Sequence, residues 1–429
     1  MRTGTFRSLR NRNYRVWALG AIVSNVGTWM QRIAQDWIVL TQLTDNNATA
    51  VGIVTALQFG PRVLLLPLTG YAADHFDRRK LLVATQAGMG ALALGLGLLC
   101  ILGHVQLWHV YGFALALGAV TAFDAPARQT FVSDLVDEDD LSNAVALNST
   151  SFNAARMIGP AVAGVLIAHI GAGWVFLINA ATYAAVIASL GLLQLDALRT
   201  RTRPAGSRTG LVDGFAYVWR RPDLKAMFLM LFLIGTFGLN FAIYISTMAV
   251  TVFHGDAGQY GFLTSMLAIG SVAGALLAAG RARPTVTALL GGAAVFGLGF
   301  CLAAVMPSQW LFGLTLVLVG LSAQTFTTSV NSAVQLSTDP AMRGRVMAIL
   351  MAIALGGTPI GAPIIGWVAD TWGPRWSLGI GGASGFAAAL VGLHYLVRHR
   401  RLRLRFDGAR PRFTLQPRPP RPPGTSEGT

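Results

Sequence analysis

Twelve apolar runs of about twenty residues, separated by short polar turns, leave this chain few ways to fold. Each run is long enough to cross roughly 30 Å of hydrocarbon as a helix. Lipid offers the backbone no hydrogen-bond partners, so a spanning segment must be a helix or part of a closed barrel. The alternating ten-residue strands of a barrel are missing, and the fold class is therefore an all-α polytopic membrane protein. The runs fall at roughly 14–40, 49–72, 81–103, 107–128, 142–169, 172–194, 224–253, 258–280, 284–305, 308–332, 346–371 and 374–397. Composition agrees: of 429 residues, 53% are hydrophobic and 12% charged, against about a quarter charged in soluble domains. The first run is too long for a signal-peptide core and no small-residue cleavage site follows it, so it is expected in the mature protein.

Arginine and lysine collect on one side. Arg2, Arg7, Arg10, Arg12 and Arg15 precede the first run, and Arg78, Arg79 and Lys80 follow the second. Six arginines from Arg199 to Arg221 lie in the centre, Arg343 and Arg345 follow the tenth run, and the tail is Arg-rich. The opposite side offers Arg375. The positive-inside rule then puts both termini in the cytoplasm. The net charge of +15 is mostly this asymmetry, and its expected partners are anionic lipids of the cytoplasmic face. A nucleic-acid partner is not expected, because the basic residues form no binding module. Cys100 and Cys301 lie in different runs without metal-ligand spacing and read as small apolar residues.

The polar, basic stretch 195–223 divides the chain into bundles at 1–194 and 224–397. Its second part, "LVDGFAYVWRRP", reads as an amphipathic helix on the membrane surface. The Arg- and Pro-rich tail, 398–429, is expected to be disordered. The halves repeat each other. "IGPAVAGVLIAHIG" (158–171) aligns with "IGAPIIGWVADTWG" (360–373) at an offset of 202, which also pairs Trp108 with Trp310 and Gly118 with Gly320. Repeated halves of a transporter hold the substrate near the midplane, at their interface.

"GYAADHFDRRK" (70–80) resembles the signature of the major facilitator superfamily, Gly-x-Leu-Ala-Asp-Arg-x-Gly-Arg-Lys between spans two and three. Gly70, Ala73, Asp74, Arg78 and the basic pair Arg79–Lys80 match, whereas Ala72, His75 and Asp77 depart from it. "GTWMQRIAQDWIVLTQLT" (27–44) and the stretch 124–164 resemble the bacterial branch that includes the enterobactin exporter and macrolide-type drug:proton antiporters. The resemblance implies the two six-helix halves of the major facilitator fold and small-molecule export by alternating access, driven by protons. It also implies a cytoplasmic gate of Gly70, Asp74, Arg78, Arg79 and Asp124. In it Asp74 holds the start of span eleven near 344–347, and Arg78 reaches Asp124. Two plainer readings stay open: the cluster merely anchors the turn, and Arg128, four residues on, takes Asp124 instead.

Charges inside spans are costly and functional by default. Asn25, Trp29, Arg32 and Asp36 follow at spacings of four, three and four, one face of a helix. Phe152 and Arg156 share a face of span five, and Arg62 lies in span two. By resemblance, spans one and five line the cavity. The two glutamates, Glu138 and Glu427, lie outside the spans, so Asp36 is the best candidate for coupling to protons, ahead of Asp124 and His169. Burial favours its neutral acid and Arg32 its carboxylate. A coupling role, a fixed ion pair with Arg32 and a rim position all remain open. The arginines tilt the cavity positive, which suits an anionic or aromatic substrate, unless Arg62 or Arg156 is spent on backbone carbonyls or on Asp36. "RMIGPAVAG" resembles an antiporter motif and, with "GGTPIGAPIIG" (356–366), suggests paired hinges at Gly159, Pro160, Gly164, Gly361 and Pro363, or simple packing kinks.

An enzyme is not expected: no two of the seven histidines have HExxH spacing and no phosphate-binding loop is present. No cofactor and no metal are expected. A proton-coupled exporter working as a monomer is the first expectation. A facilitator or importer of the same fold, and a non-transporting receptor or scaffold, are the alternatives.

Overall fold

The computed structural model describes residues 6–197, 211–279, 284–400, 402–407 and 410–415. The first half contains α1 (Arg12–Thr41), α2 (Ala48–Leu64), α3 (Leu66–His75), α4 (Arg78–Ile101), α5 (Leu107–Phe131), α6 (Glu138–Ile170) and α7 (Ala172–Gly191). After α8 (Leu211–Arg220) the second half contains α9 (Pro222–Leu233), α10 (Phe241–Thr247), α11 (Ala257–Ala279), α12 (Val286–Val305), α13 (Gln309–Ser337), α14 (Arg343–Trp372) and α15 (Pro374–Arg400). Ten helical segments among the described residues are long and apolar enough to cross a membrane. The two remaining spans are α1, which carries Arg32 and Asp36, and the α2–α3 pair, which proline divides. Pro61 lies inside α2, and α3 starts with a proline in its first turn, so the helix breaks at Leu65. The seventh span is also discontinuous: π-helical turns at Ile234–Gly238 and Met248–Val252 flank α10.

Successive spans run in opposite directions, with α2–α3 counted as one span and α9–α10 as another, so all connections lie at one of two ends. The end that carries the arginine-rich turns is called the basic end below, and the other the far end. At the basic end the chain start is pinned to α6: Tyr14 donates to the Ala144 carbonyl at 2.8 Å, and Arg7 pairs with Asp140 at 3.2 Å. Beyond α15 the backbone of Leu402–Asp407 pairs with Arg410–Leu415 as an antiparallel hairpin. The segment 198–210 of the linker and 416–429 of the tail lie outside the described residues.

Two helix pairs join the halves, α2 with α14 and α6 with α11. Both use glycine to bring backbones together, at equivalent positions of the repeat. A Cβ on Gly164 would lie 2.6 Å from the Ala257 carbonyl, and one on Gly366 would lie 2.5 Å from that of Ala48. A Cβ on Gly261 would lie 2.3 Å from the Pro160 carbonyl, and one on Gly52 would lie 2.5 Å from that of Ala362. Gly164 and Gly366 are one repeat apart, as are Pro160 and Ala362, so the internal repeat sets how the halves dock. All these contacts are towards the far end. The conformation is therefore closed at the far end.

A cationic, aromatic cavity between the halves

The interface encloses a cavity of about 230 Å³. From the first half it is lined by Trp29, Arg32 and Asp36 of α1, Gln58 and Phe59 of α2, and Arg156 of α6. The spacing expected to make one face of α1 does so over its last three members. Asn25, one turn nearer the basic end, is half-buried outside the lining. Phe152 stands beside the cavity, edge-on to Trp29 with ring centroids 5.9 Å apart. Arg62 also lies outside the lining: its Nε donates to Thr121 Oγ1 at 3.1 Å and ties α2 to α5.

Trp29 organises the charges. The Arg32 guanidinium lies 4.6 Å from its ring centroid and that of Arg156 5.6 Å, within cation–π range. Phe59 is shared by Arg32 at 5.7 Å and Arg62 at 4.6 Å. Among the described residues neither Arg32 nor Arg156 has a hydrogen-bond or ion-pair partner. Three guanidinium groups thus gather on the first-half side, two of them in the wall. Among the described residues, Asp36 is the one acidic side chain lining the cavity.

Asp36 does not form the fixed pair with Arg32 that was one of its three possible roles. Its Oδ2 instead accepts a hydrogen bond of 2.9 Å from the Tyr260 hydroxyl of α11, across the interface. Tyr260 is 1% exposed. Sequence reasoning missed it, and no signal pointed there, because a lone tyrosine in an apolar helix is indistinguishable from core. The rest of the second-half wall is mainly apolar, with Leu239, Phe241, Ile243 and Leu267, and Asn240, Thr264 and Thr358 as polar points. Asn240 follows the break in the seventh span, the kind of irregular backbone that membranes tolerate where it lines a cavity.

The expected hinge residues are contact points around this cavity. A Cβ on Gly159 would lie 2.6 Å from Trp29 Cβ, so that glycine sets how closely α6 approaches α1. Gly361 faces the Thr236 carbonyl of the π-helical turn, and Pro363 meets Gly52.

The basic turn is arranged differently from expectation. Arg78 does not reach Asp124. Its Nη1 bonds both carboxylate oxygens of Asp134, at 2.7 and 2.8 Å. Asp124 is 6% exposed and accepts from Thr85, Gln86 and Arg128 at 2.8, 2.7 and 3.1 Å. Arg78 starts α4, whereas Thr85 and Gln86 lie two turns deeper, level with Asp124. The local competitor, Arg128, therefore takes it. Arg79 donates to the Leu190 carbonyl at 2.9 Å. All these contacts stay inside the first half and anchor the turn. The surroundings of Gly70 and the side chain of Asp74 lie outside the described residues.

A clearer inter-half fastening exists at the far end. The Asp370 carboxylate, near the end of α14, accepts from the Ala48 and Thr49 amides at 2.7 and 2.8 Å and from the Thr49 hydroxyl at 2.5 Å. It caps α2, the helix of the other half, where free amides and the helix dipole favour an anion. Asp370→Ala removes about 1 kcal/mol, the usual worth of a capping side chain, which is roughly fivefold in population. With spin labels on the exposed far-end positions His104 and Pro307, the variant is expected to gain a longer-distance component. An unchanged distance distribution would show that the cap does not hold the far end shut.

Two pseudo-symmetric helical bundles enclosing a polar cavity within a multi-pass membrane protein define a transporter of small molecules. The chain belongs to the transmembrane secretion effector family of the major facilitator superfamily, whose sequence profile matches residues 3–404. It is 27% identical over 394 residues to the staphyloferrin A transporter of Staphylococcus aureus, covering 88% of this chain and 95% of the relative. It is 28% identical over 384 residues to the enterobactin exporter of Escherichia coli O139:H28, covering 85% and 88%. In fold it is similar to a bacterial homologue of the human lysosomal transporter Spinster, with a TM-score of 0.69 at 15% identity over 90% of this chain and 95% of that one.

Proposed function

We propose that this protein exports a small anionic, aromatic molecule of the siderophore class across the bacterial inner membrane, in exchange for protons, with both termini cytoplasmic. The observation that carries the proposal is the cavity wall: two guanidinium groups that have no hydrogen-bond or ion-pair partner among the described residues share the ring of Trp29, in a wall that also holds the Asp36 carboxylate. Free arginines on aromatic rings suit a substrate with carboxylates or phenolates on a planar frame. A lipophilic cation would want an unpaired acid and would meet repulsion instead. The names of the two relatives support the substrate class, and the second supports the direction.

Proton coupling rests on Asp36. An antiporter needs a titratable group that meets each side in turn, and Asp36 lies at the interface on which the halves move. Its partner Tyr260 belongs to the opposite half, so rocking the halves apart changes the surroundings of the carboxyl group. Trp29, Arg32 and Arg156 then bind the substrate, and the close contacts at Gly159, Pro160, Gly164, Gly361 and Pro363 are where the bundles pivot. The bundles 1–194 and 224–397 act as the two moving bodies, with 195–223 joining them.

The test uses inside-out membrane vesicles with a pH-sensitive dye. Drugs and siderophores are added to wild type and to Asp36→Asn. A siderophore is expected to dissipate the proton gradient in wild type, and Asp36→Asn is expected to abolish the response while keeping the protein folded. Transport driven by a pH gradient at wild-type rate in Asp36→Asn would remove Asp36 as the proton carrier.

A further inference from the structure

A second cavity, of about 390 Å³, lies away from the transport pathway at the basic end of the second half. It is a groove between the start of α9 and the end of α15. Lys225, His394 and Arg398 surround it, Leu229, Val391 and Tyr395 form its apolar part, and among the described residues none of its lining is acidic. Lys225 and Arg398 are exposed. Both helices are membrane spans, and the groove sits where they leave the hydrocarbon.

The surroundings fix its level in the bilayer. Phe215 and Trp219 of α8 are 57% and 76% exposed and four residues apart, hence on one face. An exposed aromatic face on a short amphipathic helix rests at the headgroup level. Lys225 Nζ lies 5.5 Å from the Trp219 ring centroid, so the groove opens at that same level. Leu229, 47% exposed and one turn deeper along α9 than Lys225, continues the apolar surface towards the hydrocarbon.

We infer that this groove is a binding site for an anionic glycerophospholipid, with the phosphate held by Lys225, His394 and Arg398 and an acyl chain lying along Leu229 and Val391. Charge complementarity selects the occupant: a basic mouth matches a phosphodiester of net negative charge, and the apolar floor matches the chain below it. A zwitterionic lipid brings a choline that Lys225 and Arg398 repel. The bound lipid would bridge the first helix of the second half to its last and brace the bundle beside the linker.

The experiment is native mass spectrometry of the full-length protein in detergent, with added phosphatidylglycerol or phosphatidylcholine. Wild type is expected to retain one phosphatidylglycerol and no phosphatidylcholine. Lys225→Gln with Arg398→Gln is expected to weaken retention about thirtyfold, from the attraction per basic residue at an anionic membrane surface. Arg10→Gln with Arg12→Gln, equal in charge but in the first half, is expected to retain the lipid. Undiminished retention in the groove variant, equal loss in both variants, or displacement of the lipid by inorganic phosphate would each overturn the site. The last would mark it as a site for free anions. Melting temperatures of both variants in lipid-free detergent separate loss of lipid from loss of fold.

Discussion

Gly261→Val is expected to hold the far ends of the two halves apart and to reduce transport by one to two orders of magnitude. Gly261 sits on α11, where a Cβ would lie 2.3 Å from the Pro160 carbonyl and 3.2 Å from the Gly164 Cα of α6. Both are backbone atoms, so no rotamer change relieves the clash. The neighbouring contact gives no slack either, because a Cβ on Gly164 would meet the Ala257 carbonyl in the same way. Forced overpacking of this kind costs about 1–3 kcal/mol. Here it is charged to the far-end-closed state alone, because the clash disappears once the helices separate. A cost of that size shifts the population roughly fivefold to a hundredfold. Spin labels at His104 and Pro307 report it as a longer distance, whereas a misfolded protein would give a broad, featureless distribution. Gly112→Ala, where a Cβ meets nothing within 4 Å, is the matched silent change. A wild-type distance with unimpaired transport in Gly261→Val would mean that the backbone contact plays no part in the cycle.

The same contacts show why the fold could be read from the sequence. Lipid imposes a single length scale, so apolar runs bounded by charges and glycines mark helices well. The run at 346–371 is α14, Arg343–Trp372. The break at Leu65 was written in Pro61 and Pro67, yet hydropathy runs through it, and it took backbone geometry to divide the span. The π-helical turns of the seventh span left no comparable mark. In the cavity, what was legible was periodic: Trp29, Arg32 and Asp36 share a face because α1 is a helix. What was not legible depends on which helices meet and at what height. Tyr260 reaches Asp36 across 224 residues of sequence, and only the docking of the halves creates the contact. The height of α4 beside α5 likewise decides that Arg78 finds Asp134 and Asp124 finds Arg128, although a motif spacing favoured another pair.

Arg32→Gln combined with Arg156→Gln is expected to weaken binding of the compound that the vesicle assay identifies by roughly a hundredfold or more. Hydrogen bonds to charged groups contribute about 1.5–3 kcal/mol each, and 1.4 kcal/mol is tenfold in affinity. Both guanidinium groups lie against Trp29, so they act as one unit, and the double loss should fall short of the sum of the singles. Direct titration of the purified protein measures this. The discriminating comparison is between the compound and its uncharged ester. If the arginines read negative charge, the wild type prefers the free acid and the variant loses that preference while still binding the ester on Trp29 and Phe59. If the two forms bind wild type equally, the aromatic rings carry recognition and the arginines serve another purpose. Arg62→Gln separates these readings further. Its Nε is committed to Thr121 and it lies outside the lining, so its loss should alter stability more than selectivity. If Arg32 and Arg156 hold the substrate while Arg62 ties α2 to α5, the same chemical change should cost affinity at the first two positions and thermal stability at the third.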